Sequence, residues 1–156
     1  MPPGMAKFTQ RVRRVLSLAQ EEAEHFQHST IAEEHLLLGL LREPGGIGGY
    51  ALRESGIDYD AARAVVERLR PHGERGPFAK IDLGGGVKRT LELAVAEAQR
   101  LGHDAINTEH LLLGLLKVVS QNKAGKPVPV EILNGASLSI RAMRKYVIRL
   151  MEEPPL

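Results

Sequence analysis

Apolar residues recur at helical spacing from the start of the chain. Phe8, Val12, Val15, Leu16, Ala19, Ala23 and Phe26 fall on one stripe, the period expected of an amphipathic helix. Thr9 stands where an N-cap side chain would sit. Leu91, Ala94, Val95, Ala98 and Leu101 repeat the stripe later, behind Gly84, Gly85 and Gly86 rather than a capping side chain. A second helix is predicted in each half. It opens on Glu33-Glu34 in one and Thr108-Glu109 in the other, where acidic groups complement the helix dipole. Leu36, Leu37, Leu38, Leu40 and Leu41 then cover more than one face, so this helix is expected to be central and buried. Gly39 and Gly114 interrupt the leucines. Each costs about 1 kcal/mol relative to Ala, which points to close approach of a neighbouring helix.

A short third helix is expected over 47–54 and again over 128–133, with Gly56 and Gly135 as C-caps. A fourth runs over 58–69, capped by Asp58, and its counterpart over 137–151, capped by Ser137. The halves are copies. Between Leu16–Arg42 and Leu91–Lys117, at a constant offset of 75, 15 of 27 positions are identical, and EHLLLGLL begins at Glu34 and again at Glu109; chance does not produce this, so the chain is a tandem duplication. The fold class is therefore all-α, two tandem four-helix repeats packed with pseudo-two-fold symmetry in a single domain over 1–156. Repeat 1 covers 8–70, a Pro- and Gly-rich linker 71–86, and repeat 2 87–152. Repeat 2 also carries a polar insertion around 120–127.

Composition narrows the chemistry. Apolar residues make up 43 % but aromatics only 4 %, so the core is built from Leu, Val, Ile and Ala. The net charge of +2, from 21 basic and 19 acidic residues, gives no bulk attraction to nucleic acid. Absence of Cys excludes disulfides and thiolate chemistry. No apolar run approaches about 18 residues, and Met1 to Lys7 lacks a signal-peptide core; a soluble cytoplasmic protein with no membrane partner is expected. The glycine-rich stretch Gly84 to Thr90 has the wrong spacing for a phosphate-binding loop, and no cofactor is expected. His35 and His110 follow the repeated glutamates, but HExxH is absent. They read as structural, as do His28 and His103 at helix ends, and neither a metal nor a catalytic constellation is expected. Arg11, Arg13 and Arg14 read as a solvated face.

FTQRVRRVLSLAQEEA followed by EEHLLLGLLRE, then LELAVAEAQRLGH followed by NTEHLLLGLLK, closely resembles the Clp N-terminal domain, the double repeat at the front of ClpC- and ClpA-type Hsp100 unfoldases. The resemblance spans about 8–151 and is closest to the ClpC type. The AAA+ modules of those unfoldases do not follow here, so a stand-alone Clp N-domain protein is expected, with a fragment of a longer protein as the alternative. The resemblance implies a non-enzymatic module of the Clp protease system, whose partners are Clp ATPase or protease components, adaptors or substrates. An accessory subunit docking on a Clp ring, as in the ClpT type, is the alternative. A small-ligand-binding or catalytic protein reusing the fold is a more remote one.

Some ClpC-type domains bind phosphorylated arginine, one site per repeat. A glutamate holds the guanidinium and a threonine at the first helix start meets the phosphate. Glu34 and Glu109 match those glutamates, and Thr9 matches the helix-start threonine of repeat 1. Gly84 stands at the matching place in repeat 2 and lacks the hydroxyl, so the site of repeat 1 is the better preserved. Ala32-Glu33 replace the Gly-Thr of the family, and the added carboxylate of Glu33 would repel a phosphate. The physics suits such a ligand: N–H groups at a helix start favour an anion, and a carboxylate pairs with a guanidinium. Otherwise the two glutamates are charges complementing the helix dipole.

Overall fold

In a computed structural model, which describes residues 7–74, 80–122 and 127–155, each repeat gives four helices. Repeat 1 supplies α1 (Gln10–His25), α2 (Glu33–Arg42), α3 (Ile47–Glu54) and α4 (Tyr59–Leu69), and repeat 2 supplies α5 (Gly85–Arg100), α6 (Thr108–Gln121), α7 (Val128–Gly135) and α8 (Ile140–Glu152). Two short strands, β1 (Thr30–Ile31) and β2 (Asp82–Leu83), pair in parallel. The all-α double repeat is thus the observed architecture. Residues 123–126, the heart of the expected insertion, lie outside the described residues, as do 75–79 of the linker.

Local chemistry accounts for the helix ends. Thr9 is extended and its Oγ1 accepts the Val12 N–H at 3.3 Å, opening α1. Asp58 does the same for α4, accepting the Ala61 N–H at 2.9 Å. In repeat 2 the cap is Ser139, which accepts the Ala142 N–H at 3.0 Å, not Ser137. Ser137 instead holds a left-handed turn at φ 58°, the role of Gly56 at φ 93° in repeat 1. Gly135 likewise ends α7 rather than following it as a C-cap. One cause explains both corrections. The insertion changes the offset between copies from 75 to 81, so Gly56 maps to Ser137 and Asp58 to Ser139. α5 also starts earlier than expected, taking in Gly85 and Gly86.

α2 and α6 form the buried spine. Leu36, Leu38, Leu40, Leu111, Leu112 and Leu113 have no exposed surface. The expected close approach at the glycines is present. A methyl group on Gly39 would lie 2.7 Å from the Val15 carbonyl oxygen of α1, and one on Gly114 would lie 2.7 Å from the Thr90 carbonyl oxygen of α5. The halves interlock: α3 packs on α6 and α8, and α7 on α2 and α4. Buried residues of both repeats form one continuous cluster.

Candidate functional site

The helix starts meet in two junctions, and each junction crosses between repeats. In the first, the Ile106 N–H donates to the Lys7 carbonyl at 2.9 Å and the Thr9 N–H donates to the Ile106 carbonyl at 3.1 Å. This short parallel bridge sets the start of α1 against the turn leading into α6, and so places Thr9 beside the segment that carries Glu109. In the second, β1 and β2 pair Thr30 with Asp82 and Ile31 with Leu83, and the Gly84 N–H donates to the Ile31 carbonyl at 2.9 Å. This sets the start of α5 against Glu33. Thr9 of repeat 1 is thus tied to the turn that precedes Glu109 of repeat 2, and Glu34 of its own repeat lies at the other junction. A repeat read along the chain carries no information about which copy completes which site, and these strand pairs carry no periodic signal in two residues.

The two junctions differ in charge. In the first, the Glu109 carboxyl is pushed up, chiefly by burial, while its own backbone N–H, His103 and Arg11 act the other way. The Thr9 hydroxyl and the Gln10 and Arg11 amides of the first turn of α1 offer donors there, since the opening N–H groups of a helix have no backbone partner within it. The Val12 N–H is held by Thr9 Oγ1. The half-exposed Arg11 guanidinium, 3.8 Å from the Glu43 carboxylate, adds positive charge on the same helix.

The second junction is filled by the protein itself. Glu34 does not stand exposed at its helix start: it is only 4 % accessible, and its Oε1 pairs with Arg70 Nη1 at 3.1 Å. The Glu33 carboxylate lies over the glycines opening α5, so that a methyl group on Gly86 would collide with Glu33 Oε1. Burial and the neighbouring Glu34 push the Glu33 carboxyl up. An arginine thus occupies the glutamate, and an acid occupies the helix start. Sequence reading missed Arg70. Its only trace is that the matching position in repeat 2 is Met151.

The histidines are structural. The Ala32 N–H donates to His35 Nδ1 at 2.8 Å, so the His35 proton is on Nε2 and donates to His28 Nδ1, 2.8 Å away. That leaves His28 Nε2–H to donate to the Pro71 carbonyl at 3.0 Å. His110 repeats the arrangement, accepting the Asn107 N–H at 2.9 Å and reaching His103 Nδ1 at 2.9 Å. Burial holds His35 down to about 3 and His110 to about 4, so both rings stay neutral.

Two buried acids at matching positions complete the polar interior. Glu22 accepts from Tyr59 at 2.7 Å and from Arg42 at 2.9 Å. Glu97 pairs with Arg100 at 2.6 Å and Arg144 at 3.1 Å. Burial pushes the Glu97 carboxyl up, but the two arginines more than offset this and hold it below its ordinary value. Among the described residues no group of three or more His, Asp or Glu could hold a metal ion, and no helix is long and apolar enough to cross a membrane.

The pattern defining the Clp repeat (R) N-terminal domain matches residues 7–126. The chain belongs to the Clp N-terminal repeat family. It is 37 % identical over 145 residues to the negative regulator of genetic competence ClpC/MecB of Bacillus subtilis, a match covering 93 % of this chain and 17 % of that protein. The chain therefore spans about a sixth of that relative's length. Among solved structures, the N-terminal domain of the chaperone ClpD from Arabidopsis thaliana superposes with a TM-score of 0.73 at 22 % identity, covering 97 % of this chain and 99 % of that one. A ClpV N-domain solved in complex with a VipB peptide gives a TM-score of 0.68 at 16 % identity, covering 94 % and 88 %. These likenesses show that the fold is that of Clp N-terminal domains.

Proposed function

We propose that the chain is a non-enzymatic recognition module of the Clp system, working in the cytoplasm, that takes a phosphorylated arginine of a substrate or adaptor at the junction of Thr9 and Glu109. The carrying observation is that junction. The start of α1 in one repeat is hydrogen-bonded to the turn leading to Glu109 in the other, and Arg11 of that start acts on the Glu109 carboxyl. The Thr9 hydroxyl and the free first amides of α1 would take the phosphate and Glu109 the guanidinium. A phosphoarginine carries both charges on one side chain, and a site offering N–H donors beside a carboxylate matches it. The ClpV N-domain's complex with a peptide supports protein recognition as the use of the fold.

Arg70 and Glu33 leave the second junction no room for the same ligand, so one chain takes one phosphoarginine. Calorimetric titration of the protein with free phosphoarginine tests this. One site per chain is expected. Glu109→Ala should weaken binding at least about 10-fold and Thr9→Ala by several-fold, since the first removes the carboxylate facing the guanidinium and the second one of several donors to the phosphate. Glu34→Ala should leave it unchanged. An absence of heat, or binding untouched by Glu109→Ala, would reject the site.

A further inference from the structure

At the C-terminal end of α5 the chain leaves an open groove of about 330 Å³ lined by Arg100, Leu101, His103, Ile148, Met151 and Glu152. The other repeat shows what such a groove holds. Under the copy-to-copy offsets, Arg100, Leu101, His103 and Ile148 correspond to His25, Phe26, His28 and Glu67. In repeat 1 His25, Phe26 and Glu67 meet the ring of His72, and His28 holds the residue before it. That ring stands edge-on to Phe26 at 5.4 Å and to His25 at 5.7 Å between centroids. Its Nε2 lies 3.5 Å from the Glu67 carboxylate.

The backbone on either side of His72 is fixed as well. The Pro71 carbonyl accepts from His28 Nε2 at 3.0 Å, and the Gly73 N–H donates to the Phe26 carbonyl at 2.9 Å. A helix C-terminus supplies such carbonyls because its last turn has no intrahelical donor for them. Proline breaks α4 at this point and sends the chain across the groove. In repeat 2 the helix instead continues through Glu152, and Pro154 and Pro155 then lie near Gly45 and Tyr50, away from the groove.

We propose that this groove of repeat 2 is a docking site for an extended Pro–aromatic–Gly segment of a partner protein. It repeats, between molecules, the contact that Pro71, His72 and Gly73 make within the chain. His103 keeps the donor: its Nδ1 accepts from His110, which puts its own proton on Nε2, where His28 carries the proton that holds Pro71. Leu101 offers the carbonyl matching that of Phe26. One position is changed, and it sets specificity. Ile148 replaces Glu67, the carboxylate that the His72 ring nitrogen meets, so the ring that fits is one needing no acceptor there, Phe or Tyr rather than His. This site does not rest on the phosphoarginine reading: of its lining residues only His103 also bears on the Thr9–Glu109 junction, through its charge effect on Glu109.

Amide and methyl NMR spectra of the whole chain, titrated with acetyl-Ser-Pro-Phe-Gly-Ser-amide, provide the test. Saturable shifts confined to 100–103 and 148–152 are expected. The peptide with His for Phe should bind at least about fivefold more weakly at neutral pH, and Ile148→Glu should reverse that order. Met151→Arg, which restores the residue of repeat 1, serves as a second variant and should weaken the Phe peptide. The proposal is overturned if shifts are absent or fall on another face. It is equally overturned if neither variant alters the preference, or if the groove signals move with protein concentration alone, which would make a second copy the occupant.

Discussion

Arg70 decides more than its half-exposed position suggests. It is the cation paired with Glu34, and Glu33 is the next residue along. Arg70→Met, which installs the residue of repeat 2, leaves Glu34 buried and unpaired. A loss of about 1–2 kcal/mol is expected, discounted from the 3–5 kcal/mol of a fully buried pair because Arg70 still reaches solvent. Urea unfolding of the variant measures it, and adding Glu34→Gln should restore most of the loss.

The histidine pairs make a second prediction at this scale. His35 and His110 sit near 3 and 4 in the folded chain against an ordinary 6.5. Between those values the unfolded chain binds more protons, so stability rises with pH. The contribution is complete above about 6.5 and is lost as pH falls from there, at up to about 1.4 kcal/mol per pH unit for each ring. Unfolding midpoints should therefore drop between pH 7 and 5, above the ordinary carboxylate range. The raised carboxyls of Glu33 and Glu109 act with the opposite sign. His110→Asn should flatten the profile; an unchanged slope in both His35→Asn and His110→Asn would remove the histidines as its cause. The pairing itself was not legible in the sequence. His28 and His35 stand seven positions apart, and only the strand–turn geometry between α1 and α2 folds one onto the other.

At the scale of elements, the duplication made most of the fold readable. The leucine spine, the stripes of α1 and α5, and the Thr9 and Asp58 caps all follow from periodicity and capping chemistry. Errors gathered where the insertion shifted the register, because a constant offset no longer matched residue to residue. Ser137 shows the physical cost of that shift: a β-carbon sits in the left-handed turn that glycine takes in repeat 1. Ser137→Gly should stabilise the protein by about 1 kcal/mol, raising the melting temperature by about 2–4 °C for a chain of this size. Gly39→Ala is the opposite case. Its methyl would press on the α1 backbone, which cannot swing aside as a side chain would, so a loss of about 1–3 kcal/mol is expected despite the better helix propensity of alanine.

Across the whole molecule, symmetry is kept in the core and broken at the surfaces where the halves meet. Gly48 at the start of α3 donates its N–H to Thr108 Oγ1 at 3.0 Å, deep between the repeats. The matching pair in the other direction is Pro129 and Glu33. Proline has no N–H to satisfy, so no hydroxyl is required there and Glu33 is left to turn toward α5. Thr108→Val should orphan the buried Gly48 N–H and cost about 1–3 kcal/mol, read as a lower urea midpoint with unchanged slope. The candidate site was legible only in part for the same reason. Motifs supplied Thr9, Glu34 and Glu109, but which of them meet, and which is already occupied, depends on contacts that cross from one repeat to the other.

That crossing has an evolutionary consequence. A chain holding one repeat contains half of each junction, so the unit that duplicated could complete a junction only as a symmetric pair of identical subunits. In such a pair every substitution strikes both junctions at once. Fusion into one chain removed that constraint. It allows an arginine and a glutamate to close one junction while the other keeps its threonine, without loss of the fold.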